Sequence, residues 1–412
     1  MTLRKCVMDK SIQAATLKLF TYCQSNNWAG HEPYDALNSP IINALPFLKF
    51  RLPRLILTQA LKRSPINIRS LLLIPKTQNP KAIGLFLSAF VKLSTMGMAG
   101  HEDYVELMAD RLVALRSQGV PYWCWGYSFP WQTRTVLVPR WAPNLVCTAF
   151  AASGLLDAYE QYLEPRYLSM AVSAAEYILK ELYWTAGKGV CGFGYPLPTV
   201  RLQIHNANLL AANLLCRVHQ HTGEKKFLEP ALSVARYSAA QQHADGCWDY
   251  GEGLHQRWSD NIHTGFNLSA LRTIARCAET TEFESCVRRG LEFYRSHFFR
   301  DDGAVRYFHN RTYPIDTHCV AQSIITLLDL KDLHPSNVRL AHSVFQWAMD
   351  HMWDDRGFFY YRILRTCTIR TSYMRWTQAW MFLALSMLLC ESETPVPRAR
   401  PHDASVLAEV SA

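Results

Sequence analysis

Residues 205–250 read HNANLLAANLLCRVHQHTGEKKFLEPALSVARYSAAQQHADGCWDY. The opening part, 205–220, is rich in Ala and Leu, has no Pro and outruns an ordinary strand, so it predicts a helix buried on nearly all sides. Gly223-Glu224 then breaks the pattern. Residues 225–242 place Phe227, Ala231, Ala235 and Ala239 on one face, which predicts a second, half-exposed helix. Trp248-Asp-Tyr250 closes the unit with a short aromatic segment suited to an extended turn.

The same order of parts recurs along the chain. Trp125-Gly-Tyr127, Phe193-Gly-Tyr195, Trp248-Asp-Tyr250, Val305-Arg-Tyr307 and Phe359-Tyr-Tyr361 have their tyrosines 68, 55, 57 and 54 residues apart. Such regularity points to one repeat architecture rather than two or three unrelated domains. Six apolar runs, at 81–96, 143–159, 205–220, 263–278, 316–328 and 373–390, predict six inner helices. Amphipathic runs between them, such as 103–117 with Tyr104, Met108, Leu112 and Leu115 on one face, predict five outer ones. The sixth outer helix is expected from 47–63, despite Pro53. The fold class expected is therefore all-α, an (α/α)6 toroid, with the aromatic segments gathered at one mouth. The expected organisation is an N-terminal extension and cap loop at 1–45, the toroid at 46–391 and a Pro-rich, disordered tail at 392–412.

Composition narrows the function classes. The 412 residues are 49% hydrophobic, with 43 Lys+Arg against 34 Asp+Glu for a net charge of +9. A chain this apolar folds, and its 19 Gly and 20 Pro rule out collagen-like sequence. The positive charge is spread rather than clustered, which argues against a nucleic-acid partner and suits an acidic small molecule or glycan. No apolar run reaches the ~20 residues of a membrane span. The N-terminus lacks the apolar core of a secretory signal, and the expected location is cytoplasmic. Twelve scattered Cys form no CxxC and no zinc-ligand spacing. Walker A, GxGxxG and GxSxG loops are missing as well, so neither metal nor cofactor is expected.

In such a ring the N-terminal ends of all six inner helices face the aromatic mouth, and their free N–H groups favour anions there. Polar residues at those ends are the candidates for chemistry. His205, His263, Asp316, His318 and Arg375 are the candidate catalytic groups. Tyr34, Asp35, Asn206, Asn208, Trp248, Tyr250, Tyr373 and Gln378 are the candidate substrate contacts. Each also has a structural explanation. Asp260, Asn261 and Asp316 are favoured N-caps, a buried His is ordinarily a hydrogen-bonded core imidazole, and the aromatic segments can serve as wedges between helices. Histidines at equivalent points of three repeats, joined by Arg375, favour a site. The loop at 28–40, WAGHEPYDALNSP, is polar and aromatic enough to cap the cavity, or is simply a surface turn.

The ring pattern, NWAGHEPYDALNSP from Asn27 and YMRWTQAWMFLAL from Tyr373 resemble bacterial exopolysaccharide-biosynthesis proteins of the six-hairpin glycosidase superfamily, over residues ~26 to ~390. The resemblance implies carbohydrate chemistry in a polysaccharide pathway, and leaves the reaction open among hydrolases, lyases and epimerases. A hydrolase needs two carboxylates ~5–10 Å apart. Asp35, Asp249, Glu252, Asp260 and Asp316 supply candidates without an obvious pair. A lyase or epimerase needs a base and cationic or amide groups beside a carboxylate or carbonyl, and the His, Arg and Asn set fits that better. The expected partner is a sugar or oligosaccharide, possible anionic character included, with the oligomeric state open. A non-catalytic glycan binder keeps the same fold. Gln242, Gly246 and Trp248 also match the QxxxGxW pattern of squalene-cyclase-like repeats, but the DxDD and DDxxD carboxylates of terpenoid enzymes are missing.

Overall fold

Alternate helices of the computed structural model, which describes residues 2–96 and 101–392, lie in two concentric rings. The inner ring is α4 (Pro80–Thr95), α6 (Leu145–Tyr162), α8 (His205–Thr222), α10 (Asn261–Cys277), α12 (Thr317–Asp329) and α14 (Ala379–Ser392). The outer ring is α1 (Thr2–Ser25), α5 (His101–Ala114), α7 (Pro165–Tyr177), α9 (Lys225–Ala240), α11 (Glu284–Phe298) and α13 (Asn337–Met352). The protein is an (α/α)6 toroid. Short helices α2 (Pro40–Asn43) and α3 (Arg51–Arg63) lie in the long connection from α1 to α4. Residues 393–412, most of the expected tail, fall outside the described residues.

Inner helices start where a short polar side chain can accept from a free N–H. Asn79, Asn144, Asp260 and Asp316 cap α4, α6, α10 and α12 in this way. Each of α8, α10 and α12 is tied at its start to the following repeat. The N–H groups of His205, Asn261 and Thr317 donate to the carbonyls of Tyr250, Tyr307 and Tyr361. This bond explains the spacing of the aromatic segments. Their extended backbone turns alternate residues to opposite sides, so Trp125, Phe193, Trp248, Val305 and Phe359 are sealed in the core.

The ring closes differently from expectation. α1 packs against α14 and buries Ile12, Ala15, Thr16, Leu19 and Cys23. Phe20 meets Trp28, Phe90, Tyr104 and Phe382. The sixth outer helix is therefore α1, not 47–63. α3 instead leans on the turn Asp35–Asn38, burying only Thr58 and Leu61, and its exposed Leu52 and Ile56 leave it too little apolar cover for an outer-ring position.

α4 and α6 cross with backbone against backbone at Gly84 and Gly154. A Cβ on Gly84 would stand 2.6 Å from the Phe150 carbonyl oxygen and 2.8 Å from Ala151 Cα, and one on Gly154 2.6 Å from the Gly84 oxygen. Neither obstacle is a flexible side chain. Gly84→Ala is expected to cost ~1–3 kcal/mol through forced separation of the two helices, read as a lower urea midpoint at unchanged m-value.

Across the ring axis, Phe150, Phe266 and Trp380 meet with centroids 5.5, 5.2 and 5.4 Å apart. This cluster divides the interior into a cavity of about 590 Å³ at the aromatic mouth and one of about 870 Å³ at the opposite face. No described helix is long and apolar enough to cross a membrane.

Candidate functional site

Of the two cavities, the larger has two of its arginines paired with carboxylates. Arg217 Nη2 lies 2.8 Å from both Asp157 and Glu160, and Arg272 pairs with Asp332. The mouth pocket is different. It is walled by Tyr127, Tyr195, Tyr250 and Tyr307 from four aromatic segments, and its charged and titratable lining is Lys81, Arg134, His263, Arg311, His318 and Arg375 besides tyrosines. No Asp or Glu side chain lines it among the described residues.

His263 sits one turn into α10, and its Nδ1 lies 2.8 and 2.9 Å from the two oxygens of Asp260, which also caps the helix through the His263 N–H. With the carboxylate accepting from Nδ1–H, the Nε2 lone pair is left for another partner. The ring is held edge-on by Tyr250 and Trp258, themselves stacked at 4.5 Å.

His318, one repeat later, stacks on Trp380 at 4.5 Å and meets Trp376 edge-on at 4.9 Å. Neither ring nitrogen has a hydrogen-bond partner. Burial, with Lys81, Arg375 and His263 nearby, holds its pKa well below the usual histidine range, so the imidazole is neutral. Arg375 follows from the π-helical turn Met374–Gln378 before α14. Its Nε donates to Glu32 Oε1 at 2.9 Å and Nη2 lies 2.7 Å from Oε2, while the guanidinium stacks over Tyr127 at 5.0 Å. Much of its charge is thus matched by Glu32 from the loop at 28–40. Asn206 lines the pocket with its Oδ1 unpartnered, and Tyr34 lines it while bonded to Lys62.

The other candidates lie outside the pocket, for identifiable reasons. Asp316 is fully buried between Arg362, at 2.6 Å, and the Trp376 indole N–H, at 3.0 Å. Asp35 accepts from Arg69 and the Glu32 N–H, both at 2.8 Å. Asn208 accepts from the Phe193 N–H and donates to Gln203, and Gln378 brackets the backbone of Phe359 from both sides. Trp248 donates to the Ser238 carbonyl inside the core. Tyr373 is covered by Arg69 and Tyr361. His205 is buried behind the wall, its pKa lowered to about 4 by desolvation. None of these seven lines the pocket.

Groups not anticipated are Lys81, Arg134, Arg311, Trp131, Trp258 and Trp376, all on the pocket lining. Lys81 opens the first apolar run, and a lysine at a helix start carries no signal of its own. The arginines lie in turns whose folding back over the mouth no periodicity announces.

Neutral buried histidines make stability depend on pH. His205 and His31 are both lowered to about 4, chiefly by burial, with Arg69 and Lys76 adding to the effect at His31. Asp35 is 3.7 Å from His31 Nδ1, but it is already engaged by Arg69 and does not reverse the shift. The unfolded chain takes up protons near pH 6.5 and the folded one does not. Stability is therefore expected to fall as pH drops from ~6.5 towards 4, His205 alone contributing a slope up to ~1.4 kcal/mol per pH unit. Urea midpoints across that window test this, and His205→Gln should flatten the slope.

No protein-family model and no curated protein matches the chain. Solved structures do match in shape. Cellobiose 2-epimerase from Bacillus thermoamylovorans superposes with a TM-score of 0.60 at 10% identity, covering 76% of this chain and 88% of that one. Unsaturated glucuronyl hydrolase from Streptococcus agalactiae gives 0.61 at 10% identity over 94% and 92%. A GH76 α-mannanase from Bacteroides thetaiotaomicron gives 0.59 at 12% identity over 76% and 87%. The shared fold is the glycosidase-like (α/α)6 toroid. At these identities the likeness is one of fold.

Proposed function

We propose that this protein is a carbohydrate enzyme of polysaccharide biosynthesis that transfers a proton at a carbon beside a carbonyl or carboxylate, as a sugar epimerase or lyase does. The observation that carries the reading is the pocket lining: two histidines, a lysine, three arginines and an asparagine, with no carboxylate among the described residues. Paired-carboxylate hydrolysis needs both an acid and a nucleophile or base on the sugar, and terpenoid cyclisation of the kind weighed from the sequence needs acidic groups as well. Proton abstraction needs a base, which a histidine can supply, and no carboxylate pair.

In this reading His263 Nε2 takes the proton, with Asp260 fixing the ring and stabilising the imidazolium that forms. His318, neutral and unpartnered, exchanges a hydrogen bond with a substrate oxygen. Arg375, Arg134 and Arg311 face the negative charge that develops or that the substrate brings. The tyrosine and tryptophan walls offer flat faces to sugar rings. The solved structures named for sugar and cellobiose epimerases share this fold and support the same class.

Incubating the protein in heavy water with D-glucuronate, N-acetyl-D-glucosamine and unsaturated uronate oligosaccharides tests the proposal. Carbon-bound deuterium seen by NMR, or a new C=C bond at the cleaved end, is the expected result. Release of new reducing ends with neither carbon exchange nor a new C=C bond would overturn it in favour of a hydrolase.

A further inference from the structure

We propose that Lys81 acts as an amine nucleophile that forms a Schiff base with the open-chain aldehyde at the reducing end of the sugar. The proposal rests on the proton-transfer reading above and extends it to a residue with no role there.

Lys81 is the second residue of α4, and only 4% of its surface is exposed. Its Nζ stands 4.2 Å from the Phe150 ring centre, 5.1 Å from Trp380 and 5.7 Å from Phe266. It thus rests on the three-ring cluster that closes the pocket floor. Its Nζ makes no hydrogen bond or ion pair with any described residue, in contrast to the deep Arg69, Arg217, Arg362 and Arg375, each of which has a carboxylate. It is also the one amine on the described lining.

An unpaired ammonium in this position loses hydration that contact with aromatic faces returns only in part. Desolvation wins, the neighbouring Arg375 adds to it, and the pKa is driven well below the ordinary lysine range. A lysine desolvated in an apolar pocket beside another cation is a recognised form of activated amine.

The closed floor selects the substrate end. A sugar reaching Lys81 enters from the mouth and presents a terminus, so the reacting unit is a reducing aldose. The amine nitrogen adds to C1 while the carbonyl pair moves to oxygen. After proton transfer from nitrogen to oxygen, and a further proton from solvent, water departs and leaves a protonated imine. His263 then takes the proton from C2, the C2–H pair forms a C1=C2 bond, and the π pair of C=N+ moves onto nitrogen to give an enamine. Return of the proton to C2, addition of water at C1 and expulsion of the amine restore Lys81 and release the sugar or its C2 epimer. No oxidant or other co-reactant is consumed.

The test is reductive trapping with glycolaldehyde and sodium cyanoborohydride at pH 7, with peptide mapping by mass spectrometry. Lys81 is expected to be alkylated severalfold faster than the exposed Lys225, because its desolvated amine is held on the aromatic floor of the pocket. His263→Asn should leave this labelling intact, and Lys81→Arg should remove it. Labelling of Lys81 no faster than that of Lys225 in folded protein would overturn the proposal. Carbon-bound deuterium exchange is measured separately, so exchange with an unreactive Lys81 would reject the amine and spare the proton-transfer reading.

Discussion

Replacing His263 with Asn is expected to lower kcat/KM for carbon–deuterium exchange by ~10²–10⁴-fold, the range a positioned general base contributes, with little loss of stability. His263 is partly open to the pocket, with its side chain 24% exposed. The Asp260 carboxylate keeps its backbone bond to residue 263 in the variant, and the Asn amide can donate where Nδ1–H did. An intact melting curve beside lost exchange is the anticipated pair of results. Exchange within tenfold of the parent protein would remove His263 from the chemistry.

Asp316→Ala is expected to fail in the opposite way, through loss of the fold. Asp316 is fully buried and accepts from Arg362, from the Trp376 indole and from the N–H of His318 at the start of α12. Its removal leaves the guanidinium of Arg362 uncompensated inside the protein, which costs ~3–5 kcal/mol, and a lost cap adds ~1 kcal/mol. Urea unfolding measures it. A glycosidase built around Asp316 makes a contrary forecast, in which Asp316→Asn stays as stable as the parent and is inactive.

The two variants show what sequence reasoning reaches. Helix periodicity and the recurrence of Φ-x-Tyr place His263, Asp316 and His318 at one mouth, since rotation about a helix axis follows from spacing. They do not say which of two adjacent side chains meets open space and which meets a neighbour's arginine. Arg362, which claims Asp316, comes from a short strand of the next repeat, 46 residues on, paired antiparallel with residues 315–316. Arg69 likewise claims Asp35 from 34 residues away. The outer helix at the ring closure carries Ile12, Ala15, Leu19 and Cys23 at helical spacing, but the polar and apolar residues around them leave it almost without an amphipathic stripe, whereas 51–63 is clearly amphipathic. Lys81 escaped because a lone lysine at a helix start is ordinarily a solvated one.

Closure of the ring by α1 and α14 has a consequence for how the protein comes to exist. Neighbouring helices elsewhere follow one another along the chain, and each new hairpin can pack on the last as it emerges. The first helix has no such successor. It leaves the ribosome with Ile12 and Leu19 exposed and waits for α14, and the pair that joins Glu32 to Arg375 spans 343 residues of sequence. Contacts that distant form late, and apolar surface kept waiting invites aggregation or a chaperone. Synthesis rate and chaperone supply, more than final stability, are therefore expected to set the yield of this protein.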